Sequence, residues 1–324
     1  MTTPPTDDVA PAAVGGRRTQ WHELPAAVRE GVEEALGSTV VSAVSQPGGF
    51  SPGSADRVVL ADGRRAFVKA VGPEVNPDSP GIHRRELAVT AALPEAAFAP
   101  RLLGGYDDGS WVALALEDVD GRSPAMPWQE DDLSRCLEAL EGMARQLTPS
   151  PLADLPRLAD VLAPDVRRWE TLSEAVPDDL DPWAVARLPE LAALGRSSLQ
   201  ALEGTTLVHG DVRADNLLLT DDRVVLVDWP WACLGPAWLD SLTLVLNAAV
   251  FGGHDPEHLV ARTPVLAAAE RDSLTATLAG LAGYFSWQGR QPARPEMPTI
   301  RRFQLTQAQA CLRWVRTRLD GPAG

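Results

Sequence analysis

Lysine is nearly missing from this 324-residue chain: of its 29 basic residues one is lysine, Lys69, and the others are arginine. Codon drift in a GC-rich genome exchanges lysine for arginine wherever a solvated positive charge suffices. A lysine that persists marks a place where a compact ammonium is needed and a planar guanidinium is no equivalent. Asparagine is almost as scarce, confined to Asn76, Asn216 and Asn247. Cys136, Cys233 and Cys311 lie far apart, without the close pairing of zinc or redox sites, and read as buried or free thiols in a reducing compartment. No stretch reaches the roughly 20 uninterrupted apolar residues of a membrane span. The nearest, Leu239 to Phe251, contains Asp240, Ser241, Thr243 and Asn247. Positive charge is also in deficit: the formal net charge is −15, which excludes nucleic acid and anionic membrane as main partners. Met1 to Gln20 has no apolar core behind a basic start, so 1–20 is expected to be a disordered tail rather than a signal peptide, and the cytoplasm is the expected compartment.

What is present is a globular composition, 45% hydrophobic and 23% charged, in two stretches of different character. Val28, Val32 and Leu36 recur every four positions behind Pro25 and predict a short amphipathic helix over Leu24 to Leu36. Thr39 to Val44, Arg57 to Leu60 and Arg65 to Val71 read as strands, the last two around an Asp62-Gly63 turn. A helix is expected over Ile82 to Leu93, then strands at Arg101 to Tyr106 and Ser110 to Leu116. Gly121, Pro124 and Pro127 mark a boundary, beyond which the pattern is helical: Asp131 to Leu147, Pro164 to Glu174, Pro182 to Leu202, Pro236 to Ala249, Ala267 to Trp287 and Thr299 to Leu319. A β island of Thr206 to Val208, Leu217 to Leu219 and Val224 to Val227 interrupts the helices. The expected architecture is α+β and bilobal: a β-rich nucleotide-binding lobe over 21–120 and a mainly helical lobe over 121–324.

The chemistry concentrates in that island. Asp211 follows a strand and a His-Gly pair, so its carboxylate can emerge at a strand end as a base for a hydroxyl proton. Asn216, five residues on, can turn an amide oxygen toward the same point, and Asp228 returns a second carboxylate there, suited to Mg²⁺. Lys69 projects from a central strand, where an ammonium needs an anion, and Glu86 on the following helix can hold it. The turn around Gly48, Gly49, Ser51, Gly53 and Ser54 can cover phosphates with backbone N–H groups. Arg213 can approach the transferred phosphate, or pair with Asp215. His209 is expected to be a buried histidine bonded to backbone, and Asp240 a capping or loop-anchoring carboxylate. A metal site at His254 and His258 is disfavoured by Gly252, Gly253 and Pro256, which oppose a helix.

Val68-Lys69, Glu86, His209-Gly210-Asp211 with Asn216, and Val227-Asp228-Trp229 together resemble the aminoglycoside phosphotransferase-like branch of the protein-kinase-like fold, over roughly Thr39 to Ala249. The resemblance implies Asp211 as catalytic base, Asn216 and Asp228 as metal ligands, and Lys69 with Glu86 as the phosphate-positioning pair. It places adenine against the backbone near Glu117 to Val119, with ATP and Mg²⁺ as cofactors and GTP as the alternative donor. Gly210 stands where protein kinases usually carry arginine, and seven residues separate Asp228 from Pro236, too few for a peptide-docking segment. The expected acceptor is therefore a hydroxyl of a small molecule such as an aminoglycoside-like antibiotic or amino sugar. Trp229 and Trp231 either line its pocket or pack the island. The rival readings are a pseudokinase without turnover and a protein kinase.

Overall fold

The computed structural model describes residues 18–46, 53–74, 76–94, 98–294 and 297–321. A first helix, α1 (Ala26–Leu36), ends where Gly37 turns left-handed at φ 68°. Five strands follow: β1 (Val40–Ser45), β2 (Ser54–Leu60), β3 (Arg65–Val71), then after helix α2 (Ser79–Ala92) β4 (Leu102–Asp107) and β5 (Val112–Glu117). They form one antiparallel sheet in the order β1-β2-β3-β5-β4. β-Strand alternation sends side chains to opposite faces. Val68 and Ala70 of β3 pack under α1 with Val28, Val32 and Val58, whereas Phe67 lies on the other face with Leu87 of α2 and Leu114. Lys69 pairs in register with Leu114 and so projects on that second face, toward α2.

Two of the boundaries that moved have plain local reasons. The α2 helix begins three residues early, because Pro80 is at home in a first turn. The β5 strand begins two residues late, because the Asp108 carboxylate accepts the backbone N–H groups of Ser110 and Trp111 and keeps them in the turn.

The second lobe contains α3 (Glu130–Gln146), α4 (Leu158–Leu162), α5 (Arg168–Glu174), α6 (Pro182–Ala186) and α7 (Leu188–Ala201) before the island, which is β6 (Thr206–Val208), β7 (Leu217–Leu219), β8 (Val224–Leu226) and β9 (Cys233–Gly235). After it come α8 (Leu239–Gly252), α9 (Pro256–Arg262), α10 (Pro264–Ala267), α11 (Arg271–Gln288) and α12 (Ile300–Asp320). The single helix expected over Pro182 to Leu202 is two. Pro189 offers no N–H, and its ring opposes the carbonyl four residues back, so the chain breaks at Arg187. The helix expected from Pro164 starts at Arg168, and α4 was not foreseen. The reading of His254 to His258 as non-helical is corrected in part: the Asp255 carboxylate accepts the Glu257 N–H and Pro256 takes the first turn of α9. His254 stays outside that helix, and no group of three His, Cys, Asp or Glu side chains among the described residues is placed to hold a metal.

The core of this lobe is fixed by close approach. Gly280 and Gly283 of α11 leave room for the segment before and within α5: an added Cβ would lie 3.0 Å from Val166 Cβ and 2.8 Å from Trp169 Cδ1. Trp169 is fully buried there, its indole N–H donating to the Ala279 carbonyl at 2.7 Å. Replacing Trp169 by alanine is expected to cost about 3–5 kcal/mol through the cavity it leaves, read as a lowered urea midpoint with unchanged slope.

Candidate active site

The loop between β6 and β7 is hung from α8. Asp240, buried in the first turn of that helix, accepts the backbone N–H of His209 at 2.8 Å and of Gly210 at 3.0 Å, one on each carboxylate oxygen. Of the two roles expected for Asp240, it performs the loop-anchoring one. His209 is fully buried: Nε2 bonds the Val227 carbonyl at 3.0 Å, Nδ1 accepts the Asp211 N–H at 3.2 Å, and the ring meets Trp229 edge-on at 4.7 Å. With Nδ1 accepting, the proton belongs on Nε2, which donates to Val227. The imidazole is thereby spent on backbone, as expected.

Gly210 has a positive φ of 80°, and an added Cβ would lie 2.8 Å from the Trp231 carbonyl oxygen. The sequence suggested this glycine as a mark of acceptor class; the structure gives it a steric reason as well. Asp228 is the non-glycine residue with positive φ among those described, at 71°. Such a conformation costs of order 1–3 kcal/mol, and it is held by Val227 N–H donating to Asn216 O at 3.0 Å on one side and by Lys69 on the other.

The two lobes meet at Lys69. Its ammonium donates to both oxygens of Glu86, at 2.9 and 2.7 Å, and to Asp228 Oδ1 at 2.6 Å. The first pair was expected; the direct bond to Asp228 was not. Burial opposes the charge on Lys69 most strongly, but Asp228 and Glu86 together outweigh it and raise its pKa above the usual lysine value. Burial also works against ionisation of Asp228, and the charge and hydrogen bond of Lys69, helped by His209 and Arg213, overcome it and hold the carboxyl at about 2.

Asp211 keeps 27% of its side-chain surface open to the cleft, yet protein surrounds it closely enough that burial pushes its pKa up to about 6 against the pull of Arg213 and His209. The Arg213 guanidinium takes Asp215 with Nε and Nη2, both at 3.0 Å, and Asp211 Oδ2 with Nη1 at 3.0 Å. Both expectations for Arg213 are therefore compatible, since the ion pair with Asp215 leaves it beside Asp211. Asn216 donates its amide N–H to the Asp211 carbonyl at 2.9 Å, which turns its Oδ1 away from that bond.

The remaining expected positions are more scattered. Ser51 lies outside the described residues. Gly53 is packed so that a Cβ would collide with the Ala70 carbonyl. Ser54 is buried, and strand alternation puts its side chain with Asp56 and Val58, opposite the Lys69 face, so its hydroxyl is turned from the expected phosphate site. Glu117 binds Arg223 of the β7–β8 turn at 2.6 Å, and the Val119 carbonyl accepts from Arg57 at 3.1 Å; these contacts brace the linker between lobes. The tryptophan pair divides. Trp229 is buried against Phe98 and His209, whereas Trp231 is 44% exposed.

A family model described as the phosphotransferase enzyme family, APH, matches residues 49–284, well over half of the sequence. The chain belongs to that family. Among solved structures, an aminoglycoside phosphotransferase from Alicyclobacillus acidocaldarius is 18% identical, with 92% of this chain and 96% of that one covered at a TM-score of 0.55. Choline kinase LicA from Streptococcus pneumoniae is 11% identical, covering 90% and 98% at 0.57. Amicoumacin kinase hAmiN, solved with AMP-PNP, Ca²⁺ and Ami, is 14% identical, covering 82% and 88% at 0.51. At these identities the likeness is one of fold. No curated protein matches the chain. As a member of the APH family, the protein is a phosphotransferase enzyme.

The raised pKa of Asp211 has a stability consequence. Above about 6 the folded state holds a carboxylate that burial disfavours, so this group withdraws stability as pH rises from its unfolded value of about 3.9 through the folded one. Asp211→Asn mimics the protonated form. Its melting temperature relative to wild type is expected to be more favourable at pH 7.5 than at pH 5 in thermal unfolding.

Proposed function

We propose that the protein transfers the γ-phosphate of ATP to a hydroxyl of a small molecule, with Asp211 as the base that receives the hydroxyl proton. The observation that carries this reading is the convergence of Lys69 and Glu86 from one lobe with Asp228, Asn216 and Asp211 from the other. Phosphoryl transfer asks the protein mainly to position the triphosphate and neutralise developing charge. Lys69, held charged and oriented by Glu86, serves the phosphates. Arg213 supplies a second cation beside the base.

A divalent metal fits the donors. Asn216 spends its amide nitrogen on Asp211, and Asp228 gives Oδ1 to Lys69, which leaves one hard oxygen on each side chain. Mg²⁺ commonly takes one or two carboxylate-type ligands and completes its shell with water and phosphate oxygens. Asn216 and Asp228 would hold the ion, and it would supply positive charge against the phosphates. The amicoumacin kinase of the same fold was solved with AMP-PNP and Ca²⁺, which favours a nucleotide and a divalent cation here. ATP is the first choice of donor and GTP the second.

A small acceptor is favoured over a peptide by the path after Asp228. Within five residues the chain enters β9, which pairs antiparallel with β6, and no span remains for a peptide platform. Three cysteines buried as free thiols agree with a reducing, cytoplasmic setting, and no helix among the described residues is long and apolar enough to cross a membrane.

In an ADP-release assay, Asp211→Asn is expected to lower kcat by roughly 10²–10⁴; turnover equal to wild type would remove Asp211 from the role of base. For the wild type, kcat/KM should fall as pH drops below about 6, where Asp211 takes up a proton. Stripping divalent metal with EDTA should abolish ADP release, and added Mg²⁺ should restore it.

A further inference from the structure

Two cations of the cleft, Lys69 and Arg213, are each shared by two carboxylates, and each divides its bonds unequally. Lys69 donates twice to Glu86, at 2.9 and 2.7 Å, and once to Asp228, at 2.6 Å. Arg213 repeats the pattern. Its Nε and Nη2 take the two oxygens of Asp215, both at 3.0 Å, while a single nitrogen, Nη1, reaches Asp211, 3.1 Å from Oδ1 and 3.0 Å from Oδ2. In the lysine set the carboxylate with two bonds, Glu86, is the anchor. By the same division Asp215 anchors Arg213, and Asp211 is the group beside which it is anchored.

The backbone prepares this arrangement. Arg213 is extended, at φ −142° and ψ 165°, and residues Ala214–Asn216 form a single 3-10 turn in which the Asn216 N–H donates to the Arg213 carbonyl at 3.0 Å. The turn returns Asp215 alongside the Arg213 side chain and brings Asn216 round to Asp211. Asp215 keeps 35% of its side-chain surface exposed. An ion pair so open to water adds little to stability, so its effect is chiefly one of direction.

A guanidinium meets a carboxylate best along one edge, through two parallel N–H bonds. Asp215 occupies that edge. Without it the edge would turn to Asp211 and take both oxygens of the base in a closed pair. With the edge occupied, Nη1 is the nitrogen presented beside Asp211, where charge develops as a phosphoryl group passes to a hydroxyl.

Resting on the phosphotransfer reading above, we infer that Asp215 is a positioning residue for the reaction: it fixes Arg213 by one edge, so that the guanidinium charge meets the transferring phosphoryl group instead of closing on Asp211. Asp215 touches neither the base nor the phosphate in this scheme. It acts through Arg213 alone, and its effect therefore depends on Arg213 being there.

The test uses the full chain and measures the affinity for MgADP by calorimetry with and without fluoroaluminate, which stands in for the phosphoryl group in transfer. A mimic of the transition state binds more tightly than the ground state, so the wild type is expected to hold MgADP more firmly when fluoroaluminate is present. Asp215→Ala should lose about tenfold of that tightening, the scale on which contacting residues couple. It should bind MgADP alone as the wild type does, which also shows that the variant folds. In an Arg213→Ala background, Asp215→Ala should have no further effect. Full tightening in Asp215→Ala, or the same loss in the Arg213→Ala background, overturns the inference and leaves the phosphotransfer reading standing. Loss of MgADP binding itself in Asp215→Ala makes the residue structural and overturns the inference too. A wild type indifferent to fluoroaluminate overturns the phosphotransfer reading, and the inference falls with it.

Discussion

The ammonium of Lys69 is the point on which the two lobes agree. It comes from the middle of the sheet, meets Glu86 on α2 and Asp228 in the turn after β8, and so closes a triangle through three segments distant in sequence. A buried charge of this kind is weak evidence of net stability. Taking away one partner, however, strands the other at a cost of about 3–5 kcal/mol. Each corner therefore constrains the others: the register of β3, the seat of α2 and the left-handed turn at Asp228 must all be right for the charges to balance. That the chain has replaced lysine elsewhere and kept this one follows from geometry, because three acceptors converge on a single nitrogen and a planar fork cannot serve them.

The triangle also sets the charge of the cleft. One ammonium meets three carboxylate oxygens, two from Glu86 and one from Asp228. Asp228 keeps 36% of its side-chain surface exposed, so the negative charge that Lys69 does not balance faces the opening between the lobes.

Much of this was legible in the sequence, and the parts that were not share a physical cause. Long periodic segments such as α3 and α12, and the strand β3 after its Asp-Gly turn, carry their structure locally and fell within one or two residues of expectation, whereas β2 begins three residues earlier than expected. The site residues were readable because Asp211, Asn216 and Asp228 sit at fixed short spacings. Three-residue β9 carries no alternation to read, since it exists only by pairing with β6. The break at Pro189 and the cap at Asp255 were present as local signals and were outweighed by the apolar pattern around them. Contacts across the lobes, the Lys69–Asp228 bond and Glu117–Arg223 above all, depend on tertiary closure that no spacing encodes.

Gly210 and Trp231 touch through backbone: a carbonyl on one side and a missing Cβ on the other. The side chain at 231 hangs from that contact without taking part in it. The hold on the loop that carries Asp211 therefore comes from main-chain atoms that every residue at 231 would supply, so this position can change its side chain without loosening the loop.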